Sequence, residues 1–438
     1  RIGHAFSVHY KLQKYLLQCE TSDEIITNEA ITTLQWDNTQ EINQRPRNNS
    51  FQDTKQLEQL LQHKYIFGVT SVSAGSSPIL HNMRFDYCLV DEAGQVYIFY
   101  VKCNKMDKQL TEPQVLGPIR KAQRFILVGD SNQLPPLVKN KIALKNGMNI
   151  SLFQRLSTAN SHCVASLSIQ YRMNEDILSL ANQLIYKNQM KCATLDVASQ
   201  SLSISSLDIA QHLDKCQYSQ QIREWLRYAL DPSKKVVFLN TDKLYPVEDI
   251  MPNNEAKTNA NEKEAEIVKL CVNGLLECNV KSCQIGVMSP FVAQLKMIEA
   301  KLQQIRAPVS PSQQRRFENS IYSQILHNSQ GISTNVDQNM LLDTIDRFQG
   351  RDCDVIILSL KHTPLDRKVA SILHDWRRVN VALTRAKKKL IVIGSEACFL
   401  NIALESDKDD GNRKNLIMKH LMLFLAQKYP HNIAQVCF

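Results

Sequence analysis

Residues 85–95, Phe85-Asp86-Tyr87-Cys88-Leu89-Val90-Asp91-Glu92-Ala93-Gly94-Gln95, run from a short apolar stretch straight into two adjacent carboxylates. The apolar half has the length and composition of a buried strand, so Asp91 and Glu92 are expected at its C-terminal end, where α/β sheets bind ligands. An Asp in that place can hold Mg²⁺ through water, and a neighbouring Glu can orient and deprotonate an attacking water. Phosphoryl transfer needs such positioning more than covalent chemistry. Alone, the pair reads more readily as a surface turn.

Working outward, further short aliphatic runs read as buried parallel strands: 86–90 itself, then 125–128, 236–239, 285–288, 355–360 and 390–393. Stretches with helical spacing lie between them, at 174–185, 263–276 and 291–302. Alternation of this kind predicts an α/β fold with mainly parallel sheets. The strands fall into two groups, which predicts a first domain over 1–160 and a second over 161–430, with ligand expected in the crevice between them. Within the second, 197–234 reads as a small helical insertion and 306–338 as a loop.

Four more elements carry polar chemistry in a fixed order. RFILVGD runs into Ser131-Asn132-Gln133-Leu134-Pro135-Pro136, where Gln133 offers a neutral amide for a γ-phosphate and the prolines stiffen the loop. Gln170-Tyr171-Arg172-Met173 supplies an aromatic face for a base and a guanidinium fork for a phosphate. Residues 344–352, TIDRFQGRD, precede the strand DVIILSL. Residues 375–387, DWRRVNVALTRAK, place Val381, Thr384 and Arg385 on one helical face, so that Arg385 could reach a phosphate. Singly, each arginine reads better as a cap or a surface ion pair. The argument lies in the order and in the strand-end placement.

The bulk numbers agree and exclude alternatives. Of 438 residues, 43% are hydrophobic and 22% charged, values of a globular chain rather than a disordered or fibrous one. A net charge of +9 suits a phosphate-rich partner without demanding one. The twelve cysteines form no C-x-x-C pair and have no histidine at zinc-ligand spacing, so they read as thiols of a reducing compartment. No apolar run approaches the roughly 20 residues of a membrane span, and no secretory signal opens the chain.

The set DEAGQ, GDSNQLPP, QYRM, SPFVAQ, TIDRFQGRD and NVALTRA resembles motifs II to VI of the Upf-like branch of superfamily 1 helicases, over residues 68–394. DWRRVNVALTRAKKKL, FLNTDK at 238–243, Asp352 after QGR, and GVTSVSAGSSPIL at 68–80 resemble one family within it, the DNA replication ATP-dependent helicase/nucleases. The resemblance implies two RecA-like parallel-sheet domains of the P-loop NTPase fold, the first incomplete, and an ATP-dependent 5′-to-3′ DNA helicase motor. Asp91 would coordinate Mg²⁺, Glu92 would be the catalytic base, and Gln133 would couple the γ-phosphate to movement. Tyr171 would stack near adenine, and Arg172 and Arg385 would act as arginine fingers. Gln349, Gly350 and Asp352 would lie near the nucleotide, while Thr70, Ser289, Pro290 and Thr344 would contact the strand backbone. ATP and Mg²⁺ are the implied cofactors, and single-stranded DNA the implied partner beside replication and end-resection proteins. The nucleus is the implied location, with mitochondria as the alternative.

Three departures stand against this resemblance. G-x-x-x-x-G-K-[ST] is absent from the sequence, which opens at Arg1, so the chain reads as part of something larger. The family's nuclease core and cysteine-held iron–sulfur cluster have no counterpart either, and are expected upstream. Without a P-loop strand the sheet centre would be exposed and the phosphate cradle missing, so the chain alone is expected to bind ATP poorly and not to hydrolyse it. Residues 96–109, VYIFYVKCNKMDKQ, interrupt text that the family runs together, and they read as a retained short intron or a surface loop. The long 306–338 loop is the third departure. An RNA-directed helicase of the same branch and a non-catalytic nucleic-acid-binding remnant are the competing readings.

Overall fold

The computed structural model describes residues 66–77, 80–95, 115–136, 138, 140–216, 218–245, 260–303, 340–361, 373, 375–400 and 417–438. The expectations for 96–109 and for 306–338 lie outside these residues. The chain divides into two compact units, residues 1–131 with 135–164, and residues 132–134 with 165–438.

The first unit holds two parallel strands, β1 (Phe85–Val90) and β2 (Ala122–Leu127), paired from Phe85↔Ala122 to Val90↔Leu127. Val90, Ala93, Val115 and Leu152 form its small core. One expectation fails here. The two strands are parallel as read, but apart from Val90 they are not buried: Leu89 is 68% exposed and Ile126 50%. A parallel strand is covered only when layers pack on both faces, and the described residues give this sheet no third strand.

The second unit is built on a six-stranded sheet. Its first strands, β3 (Ile169–Gln170) and β4 (Lys191–Cys192), form a separate parallel pair. The main sheet comprises β5 (Val236–Asn240), β6 (Ile285–Ser289), β7 (Leu341–Thr344), β8 (Cys353–Ser359), β9 (Ala386–Gly394) and β10 (Ile433–Gln435). Their order is β10-β5-β9-β8-β6-β7, and every pairing is parallel. The period of two along each strand divides the core into two layers. Val236 and Phe238, Ile356 and Leu358, and Leu390 and Val392 face one layer. Val237 and Leu239, Val355 and Ile357, and Ile391 and Ile393 face the other. Both faces are therefore apolar, which is why these runs are continuous rather than alternating.

The helices follow the reading with small changes. Glu262–Glu277 and Val292–Gln303 match it within a residue or two. The helix expected over 174–185 is α-helical over Glu175–Ala181 and then widens to a π-turn over Asn182–Tyr186. The 197–234 stretch is helical, with Ser206–Lys215 and Gln220–Leu230 each capped by a serine. This architecture is that of a RecA-like α/β domain.

Candidate functional site

In the first unit the chain leaves β1 at Val90, and both Asp91 and Glu92 are exposed just past the strand. Asp91 Oδ1 accepts the Glu92 amide at 2.9 Å. Glu92 has φ 52°, the left-handed region that costs a side-chain-bearing residue roughly 1–2 kcal/mol. Strained backbone of this kind concentrates at functional sites. The loop is pressed against the one after β2: the Ala93 amide donates to Val128 O at 2.9 Å, and Val128 N to Val90 O at 2.8 Å. Glycines allow the approach, since a Cβ on Gly129 would stand 3.0 Å from Gly94 N. Thr70 caps the helix Ser71–Ser76, its hydroxyl oxygen accepting the Ser73 amide at 3.2 Å. Asp91 suits a water-mediated Mg²⁺ contact because its carboxylate is exposed at the strand end. No cage of three or more His, Cys, Asp or Glu side chains forms among the described residues, and the sequence holds no P-loop cradle for phosphates.

The second unit gathers several expected residues. Gln170 folds the QYRM turn: its Oε1 accepts the amides of Arg172 and Met173, each at 2.8 Å, and its Nε2 donates to Met173 O at 2.8 Å. Tyr171 is thrown outward, 75% exposed. Arg172 is drawn inward, with Nε 3.2 Å from Asp352 Oδ2 and Nη1 donating to Thr384 O at 3.3 Å. The other oxygen of Asp352 pairs with Lys387 at 2.6 Å. Arg385 is 2% exposed and folds back on the preceding helix, Trp376–Leu383, donating from Nε to Val381 O and from Nη2 to Thr384 Oγ1, both at 3.1 Å. Gln349 Nε2 donates to Gln133 Oε1 at 3.4 Å, and Gly350 beside it has φ 79°.

The three strand-contact candidates of the second unit share one edge. Ser289 ends β6 and Thr344 ends β7, directly paired in register, and Pro290 follows Ser289. Because all six strands are parallel, this is the C-terminal edge of the sheet, the usual ligand side. Ser289 is fully buried and its hydroxyl oxygen accepts the Phe291 amide at 3.3 Å.

Sequence reading passed over several residues that build these places. Gln170 lies in the QYRM motif beside an aromatic and a guanidinium side chain, whose chemistry is the more conspicuous in sequence. Asn380 is fully buried, and its Nδ2 donates to Asn132 O at 2.8 Å and to Tyr186 OH at 2.9 Å. Glu264 and Gln294 are buried too, tied through Ser359. A polar residue on an otherwise apolar helical face was the signal available for both.

Two family models match the chain, both described as AAA domain, over residues 18–141 and 148–397. Among curated relatives, the DNA replication ATP-dependent helicase/nuclease dna2 of Schizosaccharomyces pombe is 32% identical over 79% of this chain and 21% of its own length. The enzyme of the same name from Saccharomyces cerevisiae is 35% identical over 75% of this chain and 19% of its own, and the one from Homo sapiens 32% over 80% and 28%. The chain thus spans between a fifth and three-tenths of the length of these relatives. An arterivirus nonstructural protein 10 helicase structure aligns with 70% of this chain and 38% of its own, at 14% identity and a TM-score of 0.25, too low to carry weight. With one AAA-domain model covering more than half of its length, the chain belongs to the AAA-domain family, and it is similar to the helicase/nucleases named above.

Proposed function

We propose that the chain is the motor part of an ATP-dependent DNA helicase that moves 5′ to 3′ along single-stranded DNA. The observation that carries this reading is the pair Asp91 and Glu92, set at a strand's C-terminal end with Glu92 held at φ 52°. Mg²⁺ held through water at Asp91 would neutralise phosphate charge, and Glu92 would take the proton of the attacking water. Gln133 would sense the γ-phosphate, with Gln349 and Gly350 at its side. Arg172, paired with Asp352, and Arg385, bonded to the end of the helix before it, would act as arginine fingers. Tyr171, exposed, would stack near adenine. Thr70, Ser289, Pro290 and Thr344 would hold the strand backbone. Work in replication and DNA-end resection, in the nucleus or in mitochondria, belongs to the same proposal.

The sequence holds no P-loop, so we further infer that the 438 residues alone bind ATP weakly and do not hydrolyse it. The exposed apolar strands of the first unit support that part, and they equally favour a non-catalytic binding remnant. Strand displacement separates the readings. A helicase/nuclease relative's P-loop segment joined ahead of Arg1 should yield a protein that unwinds 5′-tailed DNA duplexes with ATP. Unwinding of 3′-tailed duplexes only, or a preference for RNA, contradicts the proposal; failure of the joined protein to use ATP at all favours the remnant.

A further inference from the structure

Two residues past the end of β6 stands Phe291, and two residues past the end of the neighbouring strand β8 stands Lys361. Both therefore lie on the edge that carries Ser289 and Thr344. Lys361 has φ 68°, a left-handed conformation unfavourable for any residue with a Cβ. A buried carboxylate holds it there. Glu264, fully buried, accepts the Lys361 amide at 2.9 Å and the Ser359 hydroxyl at 2.6 Å on the same oxygen. Burying a carboxylate is costly unless it is well bonded, so this one serves to fix a single turn of backbone.

The turn sets the Lys361 ammonium 5.7 Å from the centroid of the Phe291 ring. Among the described residues that ammonium forms no ion pair, whereas Lys387 and Lys388 pair with Asp352 and Asp354. A cation beside a partly buried ring, on the ligand edge of a parallel sheet, matches what a single strand offers: a phosphate every nucleotide and a base beside it. We propose that Lys361 and Phe291 form a single-strand contact, the ammonium pairing with a backbone phosphate and the ring stacking on a base, with Glu264 as the positioning residue. The proposal rests on reading the Ser289–Thr344 edge as the side that meets the strand.

The test is fluorescence anisotropy of a labelled oligothymidine with the full chain, titrated between 50 and 200 mM salt. Lys361→Gly suits the left-handed turn and removes the charge, while Lys361→Arg keeps the charge. With Lys361→Gly the slope of log affinity against log salt should become shallower by about 0.7, and it should recover with Lys361→Arg. Phe291→Leu should weaken binding about 5- to 100-fold at unchanged slope. Glu264→Gln should weaken the wild type yet leave Lys361→Gly unaffected, because it acts through that lysine. Wild-type affinity and slope in Lys361→Gly would overturn the proposal while leaving the reading of the edge intact. A Glu264→Gln loss of equal size in both backgrounds would overturn the positioning role, and no binding by the wild type would overturn both proposal and reading.

Discussion

Glu92 carries a conflict between backbone and side chain: φ 52° suits glycine, yet the position holds a carboxylate. Relief of that strain predicts that Glu92→Gly stabilises the chain by up to about 1 kcal/mol in urea unfolding, despite the entropy glycine adds to the unfolded state. A loss of stability would show that the side chain itself holds the loop. Lys389 presents a different tension. It is buried in β9, donates to Asp231 O at 2.7 Å and Lys234 O at 2.6 Å, and burial pulls its pKa down from 10.5 to about 7. The unfolded chain then holds the proton that the folded chain has shed between pH 7 and 10.5, so this group makes stability rise with pH across that window. Lys389→Met should accordingly lose stability relative to wild type as pH climbs from 7 to 10; a constant difference would mean that the ammonium stays charged in the fold. Neither feature was legible in the sequence. Asp91 and Glu92 could be placed at a strand end from the apolar run before them, but φ depends on the loop after β2 pressing from the side. Lys389 stands third in a run of lysines that reads as part of the preceding helix, whereas it lies in the central strand β9.

At the scale of elements, the continuous runs of β5, β6, β8 and β9 were readable because both faces of each strand are apolar, and an apolar run needs no partner to be recognised. The edge strands β7 and β10 were missed: Leu341–Thr344 and Ile433–Gln435 are short, half polar and only partly covered. Burial of β1 and β2 was misread for the opposite reason, since their composition describes a layer that the described residues do not supply. Tight packing inside the main sheet gives a sharp prediction. A Cβ on Gly286 would meet Phe348 Cζ at 2.6 Å and Ile356 Cδ1 at 2.7 Å, both fully buried. Gly286→Ala should therefore cost about 1–3 kcal/mol in urea unfolding, as overpacked cores do. The QYRM turn depends on one side chain in the same way. Gln170→Ala leaves two amides and a carbonyl without their partner, and should cost about 1–3 kcal/mol while loosening Arg172 from Asp352. An unchanged midpoint for either variant would show that the local backbone relaxes freely.

For the whole molecule, the order of motifs says more than any one of them. Lone arginines, a lone tyrosine and a lone Asp-Glu pair all have ordinary explanations, but together they sit at strand ends and helix boundaries across two units. The described residues contain no helix long and apolar enough to cross a membrane, and the +9 charge remains available for a nucleic-acid strand. Among the proposed roles, that of Glu92 as the base is the one on which hydrolysis depends most directly, and its backbone sits at φ 52°. The direct measurement is ATP hydrolysis, with and without oligothymidine, by the chain joined to a relative's P-loop segment, in wild type and Glu92→Gln. If Glu92 is the base, DNA should stimulate hydrolysis and the substitution should lower it about 10²- to 10⁴-fold with strand binding intact. Hydrolysis that DNA stimulates equally in both proteins would contradict the account.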